Sequence, residues 1–332
     1  MSNTGTSEIV RPASKESEHE IRTFLANNDA SHYRQSFEWM RIMGGKNFRL
    51  FVTRENGVIS AVSFVEILRS RLPFLSDARI ARGPVFRDER ALISHLAGLE
   101  DKLNVPLFAL RISPFVPPGS VSLPHFWRPV RNSSFYSSTL VFNTRKTVEE
   151  LWRQLRRSTR TAINKSRTAG LSVIRCREAS QFAEFVTRFN EFAERRGIAR
   201  IDASISSGLA EHFSDRTLLL EIRRGQQPLA GALFLRNPNG LVYEFGWTAP
   251  PSERDKLPLM HRLIWEAIEY CRKENYSELD LGGYWVARGP KDPINYFKLG
   301  FSKLRRDYIL EHEIVLSPVW HRFRQLLRQL FR

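Results

Sequence analysis

Three apolar runs follow one another between residues 216 and 248: RTLLLEIRR, PLAGALFLR and LVYEFGWT, separated only by short turns. Each run has strand length, and connections this short force neighbouring strands to fold back on one another. An amphipathic helix over 257–274 and a strand SELDLG (277–282) come next. A long helix between strands is the connection that allows two strands to run parallel. The earlier half of the chain keeps a similar rhythm. FRLFVTR (48–54) and VISAVSFVEIL (58–68) flank Asn56-Gly57, the dipeptide of tight hairpins. A strand ARIARGPVF (78–86), a helix over 88–103 with Leu92, Leu96, Leu99 and Leu103 in line, and a buried strand VPLFALRIS (105–113) complete it. Two shorter helices are predicted ahead of the hairpin, over 16–28 and 35–43.

The fold class is therefore mixed α/β, in two units of like rhythm without a sequence repeat. Pro114, Pro117, Pro118 and Pro124 interrupt the chain, and STLVFN (138–143) starts afresh as a strand. The expected organisation is a flexible tail over 1–15, a first domain over 16–137, a second over 138–316 and a terminal amphipathic helix over 317–332. In the second domain, Thr147 to Thr168 reads as one helix. Thr147 and Glu150 make a capping box at its start, and Gly170 closes it. A strand over 171–176, a helix over 179–196, a helical turn over 294–299 and a strand over 306–316 fill the remainder.

Several function classes are disfavoured. The sequence contains no G-x-G-x-x-G, no G-x-x-x-x-G-K-[ST] and no G-x-S-x-G, and its eight histidines show no metal-ligand spacing. Two cysteines, Cys176 and Cys271, are too few for a disulfide scaffold. The first twenty residues are polar and acidic, unlike a signal peptide, and no apolar stretch is long enough to span a bilayer. These features predict a soluble, cytoplasmic protein.

The charge points to anionic partners. Fifty-one Lys and Arg face 35 Asp and Glu, a net charge of +16, and 41 of the 51 are Arg. Nucleic acid, anionic lipid and phosphorylated substrates are all attracted to such a chain. Leu151–Arg177 holds seven Arg and one Lys with no acid. Trp152, Leu155, Thr159 and Ile163 form an apolar stripe there, surrounded by Arg153, Arg156, Arg157, Arg160 and Arg167. It reads either as a solvated basic helix face or as a site whose charge repulsion a polyanion relieves. The C-terminus, SPVWHRFRQLLRQLFR, has an apolar face of Trp320, Phe323, Leu326, Leu327, Leu330 and Phe331. Arg322, Arg324, Arg328 and Arg332 lie around it, as on an interfacial helix or on a last helix packed against its own domain. Near residue 280 a strand ends in Asp280 and the pair Gly282-Gly283, which is a turn or a point of close ligand approach. Lys298 falls among apolar residues, where a lysine needs a reason.

Taken together these segments resemble the FemX/FemA/FemB (FemABX) peptidyltransferase family of the GNAT-like superfamily. QSFEWM (35–40) resembles the family's N-terminal Gln-Ser-x-x-Trp. STRTAINKSRTAGLSV (158–173) resembles its R-x-x-I-x-x-A-x-x-x-G-V helix end. YSELDLGG with YFKLGF (296–301) resembles its aspartate, glycine pair and Phe-Lys-x-x-Phe close. The resemblance implies two tandem GNAT-like domains facing a cleft, without the coiled-coil arm of some members. It implies no cofactor, an aminoacyl-tRNA donor, and an amine acceptor on a lipid-linked muropeptide at the inner membrane surface.

It further implies that Lys298 and Phe297 are catalytic and that Arg160 contacts acceptor phosphates. Arg157, Trp39, Gly282, Gly283 and Tyr284 are the other candidate substrate-binding residues. The family's first-domain phosphate-binding lysine is replaced by Met43, leaving Arg41 or Lys46 as substitutes, and the helix-end alanine is Ser166. Trp320, Phe323, Arg324 and Arg328 are the candidate membrane-facing residues. Two alternatives stand beside this reading. One is an acyl-CoA-dependent N-acyltransferase of envelope or exopolysaccharide biosynthesis, although SERDKLPLMHRL (252–263) lacks the glycines of a CoA-pyrophosphate turn. The other is a non-enzymatic nucleic-acid binder, which gives Lys298 no role.

Overall fold

The computed structural model describes residues 6–10, 15–69, 76–102, 107–131, 133, 135–202, 204–212 and 214–316. Described residues fall into two compact units. One draws on Met1–Met40, Gly44–Ser137 and Asp307–Arg332, the other on Arg41–Met43 and Ser138–Arg306. Strands and helices are numbered along the chain.

The first unit contains β1 (Thr6–Val10), α1 (Lys15–Ala26), α2 (Phe37–Ile42, whose last two residues count with the second unit), β2 (Phe48–Glu55), β3 (Val58–Arg69), β4 (Ser76–Ile80), β5 (Val85–Phe86), α3 (Glu89–Lys102), β6 (Leu107–Ile112) and β7 (Arg128–Pro129). Its sheet also takes in β15 (His312–Val315), in the order β1-β2-β3-β4-β6-β15-β7, with β5 on β3. The β2–β3 hairpin closes on Asn56 and Gly57, whose φ values of 53° and 80° suit a tight primed turn. Leu92, Leu96 and Leu99 of α3 are buried in a cluster with Phe51, Val65, Ile80 and Leu110. Leu103 lies outside the described residues. Buried His95 joins α3 to the hairpin through Thr53 (2.8 Å) and Ser63 (2.7 Å). Burial pushes its imidazole down to about 3, so it serves as a neutral strut.

The second unit contains β8 (Ser138–Asn143), α4 (Val148–Gln154), α5 (Arg157–Arg167), β9 (Ser172–Cys176), α6 (Ala179–Arg196), α7 (Ser204–His212), β10 (Thr217–Arg224), β11 (Gln227–Asn237), β12 (Gly240–Thr248), α8 (Leu259–Lys273), β13 (Glu278–Gly283), α9 (Pro293–Leu299) and β14 (Arg305–Asp307). Its sheet runs β14-β8-β13-β12-β11-β10-β9. Both sheets combine an antiparallel meander with one parallel pair, β4–β6 and β12–β13. Each parallel pair is joined through a long helix, α3 and α8 respectively. The shared rhythm in the sequence is thus a shared topology.

Several expectations are corrected. Residues 6–10 are not part of a loose tail but an edge strand, because β2 offers them a full antiparallel register. ARIARGPVF is two strands, not one. The helix expected over 147–168 breaks at Leu155 and Arg156, whose backbones are extended. A tertiary contact outcompetes helix continuation there: Arg156 N–H donates to the Gly300 carbonyl at 2.9 Å. Arg160 Nη1 also donates to the carbonyls of Arg153 and Leu155, both at 3.2 Å. The strand expected over 306–316 splits, and its latter part belongs to the first unit. Tyr308 N–H donates to Ser137 and Ile309 N–H to Val116, which leads the chain to β15 between β6 and β7. The helix α7 was not anticipated at all.

Ending the chain after Arg306 deprives the first sheet of an interior strand. Calorimetry is expected to show a lowered or missing transition for the first unit and an intact one for the second. Two unchanged transitions would contradict this topology.

Candidate functional site

The second sheet opens where its one parallel pair ends. β12 and β13 are in register only from Gly240–Val242 against Glu278–Asp280. Beyond this, Tyr243 pairs with Phe234 and Phe245 with Leu233, so Glu244 is an extra residue bulged out of β12. A bulge bends its strand and redirects the side chains beyond it. On the other side β13 slips against β8 between Asp280 and Gly283. Gly282 sits at φ +72°, and a Cβ there would lie 2.9 Å from the Tyr243 carbonyl. Only glycine satisfies both the left-handed backbone and the close approach.

Asp280, buried at the start of this slip, accepts from Gly282 N–H at 2.7 Å and bonds the Thr139 hydroxyl. Thr139 also donates to the Gly282 carbonyl at 2.9 Å. The one hydroxyl hydrogen of Thr139 is thus shared between two acceptors. Burial raises the Asp280 carboxyl from its ordinary value, opposed by the bonds from Thr139 and Gly282 N–H and by the charge of Lys298.

Lys298 is reached from α9. Asp292 caps this helix through the N–H groups of Ile294 (3.0 Å) and Asn295 (3.1 Å), with Pro293 at its first turn. The side chain of Lys298 is buried, with the residue 7% exposed, and its Nζ donates to the Gly283 carbonyl at 2.7 Å. Burial lowers the ammonium to about 8, while the negative charges of Asp280, Glu244 and Asp292 oppose the shift. The lysine thus stays mostly charged at neutral pH and loses its proton as pH rises through about 8. Phe297 is held edge-on by His261 of α8 (ring centroids 4.8 Å) and by Phe301 (5.4 Å). Burial drops His261 to about 4, leaving a neutral ring among aromatics.

Asn295, fully buried, fixes the loop between β13 and α9. Its Nδ2 donates to the carbonyls of Trp285 and Gly289, both at 2.8 Å, and its Oδ1 accepts from Trp285 N–H at 3.1 Å. That loop and the first turns of α9 expose Trp285, Val286, Ile294 and Tyr296. The basic helix joins at the other end. Beyond the Arg156–Gly300 bond, the Arg156 guanidinium lies 4.2 Å from the Tyr296 ring centre. Any Cβ on Gly300 would collide with the Thr159 hydroxyl.

Of the sequence candidates, Lys298, Phe297, Gly282, Gly283 and Tyr284 come together here, with Arg157 and Arg160 on the adjoining α5. Arg157 is exposed, whereas Arg160 is engaged with the carbonyls at the α4–α5 break. Trp39 is buried in the first unit, Arg41 is exposed on α2, and Lys46 is exposed on the turn after it. Trp320, Phe323, Arg324 and Arg328 lie outside the described residues. Thr139, Glu244, His261 and Asn295 were not singled out beforehand. Only Asn295 left a trace, as a polar residue in a short capped helix. Among the described residues no group of His, Cys, Asp or Glu is placed to hold a metal ion, and no helix is long and apolar enough to cross a membrane.

Gly282→Ala is expected to lower stability by about 1–3 kcal/mol through its left-handed backbone alone. Chemical denaturation would measure this, and an unchanged midpoint would contradict the geometry.

Residues 153–296 match the family model of the acetyltransferase (GNAT) domain. Among solved structures, FemX superposes with a TM-score of 0.78 at 14% identity, covering 96% of this chain and 99% of that one. L-PGS from Bacillus licheniformis superposes at 0.60 with 11% identity, covering 98% and 99%. A tandem GNAT protein from the clavulanic acid biosynthesis pathway superposes at 0.56 with 12% identity, covering 95% and 99%. A search of curated proteins found no match. The domain match places an acetyltransferase (GNAT) domain over residues 153–296, and the repeated topology gives the chain as a whole the tandem GNAT-like fold seen in FemX.

Proposed function

We propose that the chain is an aminoacyltransferase that moves an amino acid from aminoacyl-tRNA to an amine of a lipid-linked peptidoglycan precursor. The observation that carries this reading is the buried Lys298, set on α9 beside the parting of β12 and β13 and bonded to a carbonyl of β13. In the reaction the acceptor amine attacks the ester carbonyl, and a carbon–nitrogen bond forms as the carbonyl oxygen takes negative charge. The protonated Lys298 would donate to that oxyanion. The ester carbon–oxygen bond then breaks, and the tRNA 3′ oxygen leaves with the proton the amine gives up. One such donor contributes roughly 10²–10³ in rate.

Further features support the reading. Phe297, wedged by His261 and Phe301, holds the turn that carries Lys298. The exposed Trp285, Val286, Ile294 and Tyr296 offer an apolar rim for the acceptor. Arg153, Arg156, Arg157, Lys165 and Arg167 around α5 supply a field that attracts tRNA phosphates independently of sequence. Arg157 and Arg160 are the proposed contacts to acceptor phosphates, with Lys46 or Arg41 serving from the first domain. A peripheral position at the inner membrane surface would bring the enzyme to a lipid-linked acceptor.

A second reading, acyl-CoA as donor, has one observation in its favour. The N-terminus of α8 follows β12 with no side-chain cap on its N–H groups, as an anion-binding helix end would.

The test is mass spectrometry of lipid-linked muropeptide incubated with the protein and a charged tRNA pool, beside RNase-treated and acetyl-CoA samples. A gain of one amino-acid residue, abolished by RNase, is expected. An acetyl increment from acetyl-CoA, with no gain from tRNA, would overturn the proposal in favour of the second reading. Lys298→Ala is expected to lower kcat about 10²–10³-fold with little change in substrate affinity. Because the charged lysine is the active form, kcat of the unmodified enzyme should fall as pH rises through about 8. A rate that keeps rising through that range would assign Lys298 the role of base instead.

A further inference from the structure

The first domain holds a second buried cation that the proposed chemistry does not use. Arg82 follows β4 in a backbone at φ +57°, a region that side-chain-bearing residues rarely enter, and is 2% exposed. The conformation is held from several sides. Arg82 N–H donates to Ser113 Oγ at 2.7 Å, Gln35 Nε2 donates to the Ala81 carbonyl at 2.9 Å, and Ser113 N–H donates to the Gly83 carbonyl at 3.2 Å. Gln35 also packs so closely on Gly83 that a Cβ there would lie 2.7 Å from its side chain. This scaffold maintains a strained backbone whose product is the position of one guanidinium.

That guanidinium has no acidic partner. Among the described residues its side chain makes no hydrogen bond and no ion pair, and Nη2 is buried without a partner. Its neighbours are rings: Tyr136 at 4.1 Å, Phe135 at 5.3 Å, and Phe115 and Tyr308 at 5.6 Å. Ring faces recover part of the lost hydration of a cation but leave its N–H groups unmet. Arg79 of β4 and Arg34 also lie over the Phe135 ring, at 5.6 and 5.8 Å. Glu66 pairs with Arg79 at 2.6 Å. Guanidinium groups from three places in the chain thus converge on one half-buried phenylalanine.

We infer that Arg82, supported by Arg79, is an anion subsite of the first domain that takes a phosphoryl group, with Phe135 and Tyr136 as the cover a ligand displaces. A tetrahedral phosphoryl group accepts from guanidinium forks arriving in different directions, whereas a carboxylate offers its acceptors in one plane. The same chemistry is carried by soluble diphosphates and by phospholipid or lipid-diphosphate headgroups. The inference rests on the first domain and does not depend on the identity of the acyl donor.

The test is calorimetric titration of the full chain with pyrophosphate, with malonate as a carboxylate control, and with phosphatidylglycerol vesicles. Saturable binding of a phosphoryl probe is expected. Arg82→Gln should weaken it about 10- to 100-fold, the size of a lost charge-assisted contact, and Arg145→Gln on the second domain should leave it unchanged. Without ligand, Arg82→Gln should melt no lower than the unmodified protein, because the buried charge it removes had ring contacts but no acidic partner. Competition between pyrophosphate and vesicles would identify one shared site. Vesicle binding lost in Arg82→Gln without such competition would assign the site to lipid headgroups. Phosphoryl probes bound equally well by Arg82→Gln, or malonate bound in preference to both, would overturn the proposal. Should Arg82→Gln fail to fold, Phe135→Ala retains the charge and thins the cover; it should speed pyrophosphate association, and an unchanged rate would equally overturn the inference.

Discussion

The burial of one ammonium group organises the second domain. Lys298 is out of water, meets a single carbonyl at hydrogen-bond distance, and has carboxylates near enough to moderate its charge without pairing with it. A lysine directly paired with an acid would keep its proton firmly, and one in solvent would make a weak electrostatic contribution to any transition state. The intermediate condition follows from the bulge of β12 at Glu244, the slip of β13 at Gly282 and the capped α9. Each departs from regular structure, and the slip at Gly282 and Gly283 supplies the carbonyl that the lysine meets.

The architecture was legible in the sequence wherever short-range chemistry decides the outcome. The Asn56-Gly57 hairpin, the capping box of Thr147 and Glu150, the leucine line of α3 and the meander over 217–248 all follow from local propensity and periodicity. Long-range contacts decided the rest. The break at Leu155–Arg156 depends on a carbonyl of residue 300, and the return of residues 312–315 to the first sheet depends on partners two hundred residues earlier. Nothing in the alternation of RDYILEHEIVL distinguishes one strand within a domain from two strands that serve different sheets.

The site was legible in a similar measure. Lys298 stood out because a lysine among apolar neighbours requires an explanation, and the glycine pair because such pairs permit backbone that other residues resist. Thr139 gave no such signal. It is one threonine in an ordinary strand, and its value comes from lying opposite the β13 slip. Arg82 was hidden because one arginine among 41 attracts no notice until its surroundings are known. Gln35 and Ser36, noticed only through a family resemblance, have a physical role: Gln35 anchors β3 and the Arg82 loop, and the Ser36 hydroxyl accepts from Trp39 N–H at the start of α2.

Burial holds Lys298 well below the ordinary lysine range, so that it loses its proton through about pH 8. An NMR titration of side-chain-labelled lysine, with Lys298 assigned by comparison with Lys298→Arg, measures this directly. A midpoint at about 8 is expected. A midpoint near the ordinary lysine value of roughly 10.4 would contradict it, leaving Lys298 as a fully charged anchor for α9.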